Sequence, residues 1–311
     1  MNDATRMLPS GKMPSRLCFG SLTISPLQAN LPPEQGADLL LYAASLGVNF
    51  VDTADLYGTY PAIRLALREC DMIVSTKSYA YDEETAEASF RRAVEGIGRE
   101  YIDVFLLHEQ ESEHTLRGHA RALEWFHKKK REGLIGTVGI STHHVAAVRG
   151  AVRHGGIEAL HPLINHAGIG IADGTREDME AALQNADEAG MFIYGMKALA
   201  GGHLIAERQA AFAYALGFAP LHAVALGMQS KAEIDYAAAL FSGKAPDESL
   251  AIDAQRRLLI HAWCEGCGKC VERCGQKALS LVEGRVSVDA AQCVLCGYCA
   301  AACPQFCIKV V

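Results

Sequence analysis

Near the end of this 311-residue chain, Cys264-Glu-Gly-Cys267-Gly-Lys-Cys270-Val-Glu-Arg-Cys274 is followed by Cys293-Val-Leu-Cys296-Gly-Tyr-Cys299-Ala-Ala-Ala-Cys303-Pro304. Each cysteine of the second run lies 29 residues after its counterpart in the first. The likeness extends to Gln276 against Gln305 and to Leu279-Ser-Leu281 against Ile308-Lys-Val310. Repetition at a fixed offset marks one supersecondary unit used twice. Paired Cys-x2-Cys units also bind zinc, but a zinc site takes four ligands and leaves the third evenly spaced cysteine of each run without a purpose. Disulfides need an oxidising compartment, and the opening Met-Asn-Asp-Ala-Thr-Arg-Met-Leu-Pro-Ser lacks the apolar segment of a secretory signal.

The spacing Cys-x2-Cys-x2-Cys-x3-Cys resembles that of two-cluster bacterial ferredoxins along this whole region. The resemblance implies two [4Fe-4S] clusters, with the fourth cysteine of each run ligating the other cluster. Cys264, Cys267, Cys270 and Cys303 would hold one, and Cys293, Cys296, Cys299 and Cys274 the second. The proline that the family places after each fourth cysteine is present as Pro304, whereas Gly275 stands at the first site. Cys307, in the place of Ala278 of the first copy, is expected to pack as a small buried hydrophobe, as are Cys18 and Cys70.

Half of the residues are hydrophobic, so the rest of the chain can bury one large core. A net charge of -7 argues against nucleic acid and against an anionic membrane surface. No uncharged stretch of eighteen apolar residues occurs, so nothing is expected to span a bilayer. The expectation is a soluble, cytoplasmic protein.

Eight short apolar runs read as strands: Leu17–Gly20, Val48–Asp52, Met72–Thr76, Ile102–Leu107, Ile135–Ser141, Ala159–Ile164, Met191–Met196 and Ala223–Gly227. Between them, Glu34–Leu46, Glu83–Ile97, His119–Glu132, Val145–Val152 and Glu177–Glu188 carry apolar residues at three- and four-residue intervals, the period of a helix with one buried face. Strand–helix alternation repeated eight times predicts an α/β fold, a (β/α)8 TIM barrel over residues 1–235. A helical connector is expected over 236–262, and a small α+β ferredoxin-like iron–sulfur domain over 263–311.

In such a barrel, reactive groups gather where strands end. The second strand ends in Asp52-Thr-Ala-Asp-Leu-Tyr57, the third in Thr76-Lys77 and the fourth in Leu107-His108. Residue type, spacing and strand order together resemble the aldo-keto reductases, over roughly residues 14–235. The resemblance implies a catalytic tetrad of Asp52, Tyr57, Lys77 and His108. Tyr57 would protonate the oxygen formed when a carbonyl is reduced. Lys77, held by Asp52, would stabilise the phenolate, and His108 would orient the carbonyl. Nicotinamide contacts carried over in the same way are Ser141, Thr142, Asn165, Lys197, Gly227 and Lys231. The sequence departs from the family pattern at Tyr60-Pro61, at Thr142, at His161 and after strand eight. There Glu233 stands where a group contacting a 2′-phosphate is usual, with Lys231 and Gln229 nearby. NADP(H) or NAD(H) is therefore the implied cofactor, on an altered grip. The loops at Glu109–Arg117 and Gly168–Thr175 are expected to set specificity.

A nicotinamide exchanges two electrons and each cluster one, so coupling the halves calls for a converter such as a flavin, for which no binding stretch is visible. The enzyme reading is an iron–sulfur oxidoreductase acting on a small carbonyl or alcohol, with an external ferredoxin or flavoprotein as electron partner. The alternative is an electron carrier or docking protein whose barrel no longer binds nicotinamide.

Overall fold

The structure, a computed structural model, describes residues 6–247, 249, 257–304 and 307–310. Eight parallel strands close into a barrel in sequence order: β1 (Leu17–Gly20), β2 (Phe50–Asp52), β3 (Ile73–Ser78), β4 (Ile102–Leu107), β5 (Ile135–Thr142), β6 (Ala159–Pro162), β7 (Phe192–Met196) and β8 (Ala223–Leu226). β8 closes on β1 with Leu17 opposite Val224 and Phe19 opposite Leu226. The expected α/β barrel is present. Strand β3 runs two residues further than its apolar pattern, because Lys77 and Ser78 still pair with Leu106 and Leu107 of β4.

The helices are α1 (Pro33–Ser45), α2 (Tyr60–Ala66), α3 (Glu83–Ile97), α4 (Glu113–Gly118), α5 (Ala120–Arg131), α6 (Val145–His154), α7 (Arg176–Glu188), α8 (Arg208–Gly217) and α9 (Lys231–Phe241). Helix α3 shows why they form. Asp82 and Thr85 make a reciprocal capping box, and Ala86, Phe90, Ala93 and Ile97 bury one face at helical spacing. Inside the barrel a second apolar cluster holds Cys18, Phe50, Val104, Phe192 and Tyr194, with Leu8 joining it from the N-terminal segment. The connector expected over 236–262 is helical as far as Phe241, and its residues 248 and 250–256 lie outside the described residues.

The C-terminal unit consists of β9 (Leu258–Ile260), α10 (Lys269–Arg273), β10 (Leu279–Val282), β11 (Arg285–Val288), α11 (Tyr298–Ala302) and β12 (Ile308–Val310). The 29-residue repeat is realised as α10 followed by β10, then α11 followed by β12. β10 pairs with β11, and β12 returns to pair antiparallel with β9. Its small core joins Leu279, Val286 and Ile308 to Cys270, Cys299, Cys303 and Cys307. This unit sits over the barrel mouth where the strands end. Gln28 donates to the Leu295 carbonyl at 2.9 Å, Lys197 to that of Val294 at 3.4 Å, and His203 to that of Cys293. Among the described residues, no helix is long and apolar enough to cross a membrane.

Candidate active site

Asp52 closes β2, Tyr57 ends the short 3-10 turn that follows, Lys77 lies on β3, and His108 comes directly after β4. Strand order thus brings four side chains from separate stretches to one end of the barrel. Lys77 Nζ donates to both Asp52 oxygens at 2.8 and 2.6 Å and to the Thr53 carbonyl at 2.7 Å. Asp52 also accepts from the Tyr194 hydroxyl at 2.9 Å, and that hydroxyl meets Ser75 Oγ at 2.7 Å. His161, on β6, stacks on the Tyr194 ring at 4.0 Å and meets the Tyr194 carbonyl through Nδ1 at 2.7 Å.

Lys77 approaches Tyr57 at its ring, 5.1 Å from the centroid. The sequence leads one to expect that cation to bring the phenol's proton affinity down. In the structure, burial first and then the Asp52 charge hold the Tyr57 phenol well above its ordinary value. Burial, followed by the Lys77 charge, keeps His108 well below the usual imidazole range, and so neutral. His108 stacks on Tyr79 at 4.6 Å, and its Nδ1 has no hydrogen-bond partner among the described residues.

Sequence reading missed Tyr298. It lies between Cys296 and Cys299, at the position held by Lys269 in the first copy. Its hydroxyl stands 3.3 Å from that of Tyr57 and 3.1 Å from His108 Nε2. Arg273 stacks over the rings of Tyr298 and Tyr79, 5.2 Å from each, and donates to the Tyr79 hydroxyl at 3.2 Å. Tyr79 in turn donates to Glu109, a half-buried carboxylate whose proton affinity is raised, chiefly by desolvation. An aromatic in one copy against a lysine in the other was the visible signal.

A cavity of about 150 Å³ is lined by Tyr57, His108, His161, Lys197, Gly227, Glu233, Tyr236, Cys296 and Tyr298, among others. Lys197 and Gly227, carried over as nicotinamide contacts, therefore face it. Gly227 also has a packing reason, since a Cβ there would stand 2.1 Å from the Thr23 methyl. Ser141 and Thr142 are used by the backbone: Ser141 Oγ accepts from the Glu109 amide at 2.9 Å, and Thr142 Oγ1 donates to the Gln110 carbonyl at 2.6 Å. Asn165 spans its own loop, donating to the Ile169 carbonyl and accepting from the Ile169 amide. Lys231 lies over the Tyr42 ring at 4.9 Å rather than on the cavity. Glu233 accepts from the Gln229 amide at 2.6 Å.

The cysteines of the two runs come together in the small core of the C-terminal unit, where Cys270, Cys299 and Cys303 are joined by Cys264 and Cys274. The Cys303 thiol is an electrostatic neighbour of Cys264 and Cys270, Cys274 of Cys293 and Cys299, and Cys270 of Cys299 as well. Neighbours thus link one run to the other, as the crossed ligation of a cubane pair would require. Among the described residues no three such side chains close around a single metal ion. Cys307 is buried, with its sulfur 3.3 Å from that of Cys303.

Comparison with known proteins agrees with this geometry. The pattern of the Aldo/keto reductase family matches residues 16–215, and that of a 4Fe-4S dicluster domain matches residues 258–305. A 9,11-endoperoxide prostaglandin H2 reductase of Trypanosoma cruzi is 28% identical over 116 residues, 35% of this chain and 41% of the relative's length. The match thus spans less than half of that relative. Among solved structures, an aldo-keto reductase of Bacillus halodurans in its holo form superposes with a TM-score of 0.64 at 19% identity, covering 81% of this chain and 97% of the other. A Pseudomonas aeruginosa protein assigned to the aldo-keto reductases gives a TM-score of 0.66 at 20% identity, covering 76% and 94%. At that identity the structural likeness speaks for the fold alone.

Proposed function

Starting from a chain that belongs to the Aldo/keto reductase family and carries a 4Fe-4S dicluster domain towards its C-terminal end, we propose that this oxidoreductase interconverts a small carbonyl and its alcohol at Tyr57 and His108 and, through a flavin that would split the two-electron hydride into single electrons, exchanges electrons with two [4Fe-4S] clusters. The observation that carries the reading is the shared cavity, which Tyr57 and His108 line together with the cluster-ligand candidate Cys296. Lys197, Gly227, Glu233 and Tyr236 on the same walls would hold a nicotinamide, and the two cysteine runs, with fourth ligands exchanged between them, would hold the clusters. When bound, the nicotinamide supplies or takes a hydride and the clusters take or give single electrons.

The chain's own residues do the remainder. Tyr57 gives its phenolic proton to the substrate oxygen as negative charge develops there. His108, neutral, donates from Nε2 to the same oxygen and fixes the face presented for reaction. The Lys77 ammonium, anchored on Asp52 and Thr53, is the positive charge nearest the ring left behind when Tyr57 gives up its proton. Glu233 opposes a 2′-phosphate and favours a ribose diol, so NAD(H) is the better match to this cavity than the NADP(H) typical of the family.

The test is Tyr57→Phe in cluster-loaded protein, assayed with small aldehydes and either nicotinamide, with and without added flavin. A loss in kcat of about 100-fold or more at unchanged iron content is expected. Unchanged turnover would contradict the reading. A second reading, in which the barrel is a docking scaffold for an electron carrier, is favoured by the engagement of Ser141, Thr142 and Asn165 with their own backbone. Absence of aldehyde turnover in any variant would select it.

A further inference from the structure

Tyr298 reaches from the C-terminal unit into the barrel and stops with its oxygen between two groups that act on oxygen. A carbonyl reduced at this site must accept from Tyr57 and from His108 Nε2 at once. The Tyr298 oxygen lies 3.3 and 3.1 Å from those groups, and a phenol oxygen can accept both bonds. We propose that Tyr298 is an internal stand-in for the substrate, a specificity-determining residue by which the C-terminal unit fills the oxygen position of the barrel site, so that any aldehyde or ketone enters only by displacing a phenol. The inference rests on reading Tyr57 and His108 as the site for a substrate oxygen.

The surroundings hold the phenol in place. Its residue is 7% exposed, the Arg273 guanidinium lies over its ring, and the His108 ring meets it edge-on at 6.0 Å. The preceding segment is tied to the barrel by Gln28 at Leu295, Lys197 at Val294 and His203 at Cys293. Gly297 has φ +80°, and a Cβ there would lie 2.4 Å from the Leu27 carbonyl. Cys296 and Cys299 flank the tyrosine, so binding a cluster to those thiols fixes the backbone on both sides of it. Withdrawal of the ring is then coupled to movement of the segment that would carry the second cluster.

Removing the ring in Tyr298→Gly leaves a vacancy of the shape of p-cresol, whose hydroxyl can restore both hydrogen bonds. With full-length, cluster-loaded protein and no nicotinamide, binding of p-cresol and of toluene is measured by calorimetry. The expectation is that Tyr298→Gly binds p-cresol at least tenfold more tightly than wild type does, and at least tenfold more tightly than it binds toluene. Equal binding of p-cresol to wild type, or no preference over toluene, overturns the proposal. Tyr298→Phe keeps the ring and should exclude p-cresol as wild type does; if it binds p-cresol as the glycine variant does, the ring is not the occupant and the proposal falls. None of these readouts needs turnover. A Tyr298→Gly protein that binds p-cresol with the stated preference yet reduces no aldehyde keeps this inference and discards the carbonyl reaction.

Discussion

Lys77 and Asp52 form a buried ion pair in which the ammonium reaches both carboxylate oxygens, at 2.8 and 2.6 Å, from a side chain 1% exposed. The pair fixes β2 to β3 at the end of the barrel where Tyr57 and His108 meet. A buried pair of this kind is retained only when its remaining hydrogen bonds are satisfied, as they are here by Thr53 and Tyr194.

Removing one partner strands the other charge. Asp52→Ala is expected to lower the unfolding free energy by about 3–5 kcal/mol. Asp52→Ala combined with Lys77→Met should recover most of that loss, because neither charge is then left buried. Denaturant titration of the three proteins checks this, and a single-variant loss under about 1 kcal/mol would show that Lys77 finds water or another acceptor.

Acid should loosen the barrel through His161. Burial first, then the Lys77 charge, hold this imidazole down to about 4, with Asp52 working in the opposite sense. The unfolded chain binds the same proton near pH 6.5. The contribution of the neutral ring is therefore complete above about pH 6.5 and is lost as pH falls towards 4, by about 3 kcal/mol in all. Unfolding of His161→Gln should show a shallower fall in stability over that interval. An unchanged slope would mean that other groups carry the acid sensitivity.

The fit of the C-terminal unit on the barrel depends on backbone without a side chain. Gly201 has φ +72°, and a Cβ there would stand 2.1 Å from the Val294 carbonyl; Gly297 makes the reciprocal approach to Leu27. Gly201→Ala and Gly297→Ala are expected to unseat the 293–298 segment. Limited proteolysis should then cut between the units, while the far-ultraviolet circular dichroism of the barrel persists. Resistance equal to wild type would contradict the close approach.

Glu233 gives the cofactor expectation an independent test. Its carboxylate lines the cavity and accepts from the Gln229 amide. Glu233→Gln should move the ratio of NADPH to NADH affinity towards NADPH by about tenfold, the effect of removing one charge from a phosphate's path. A ratio that does not move would place the ribose elsewhere.

The barrel was legible because buried parallel strands and one-faced helices write their period into the chain, as in Ile102–Leu107 and Glu83–Ile97. Asp52, Tyr57, Lys77 and His108 were legible because residue type, spacing and strand order together resemble the family's tetrad, and consecutive strands bring them to one end of the barrel. Helix α4 was not, since Glu109–Arg117 reads as loop; Ser112 and Thr115 cap a single short helix there. Ser141 and Asn165 show what spacing cannot give, namely that hydroxyl and amide groups in the right places are consumed by their own loops. Tyr298 was hidden for a related reason. Its role arises only from docking between units 190 residues apart from His108, and docking leaves no period in a sequence.

The most direct test of the central claim, that barrel site and clusters work through one cavity, is an anaerobic titration. Cluster-loaded protein receives NADH, then NADPH, with and without added flavin, while the visible charge-transfer absorption and the electron paramagnetic resonance signal of the clusters are followed. The account predicts that a nicotinamide bleaches the clusters and raises the signal of their reduced form. Clusters that dithionite reduces but neither nicotinamide reaches under any of these conditions would contradict it.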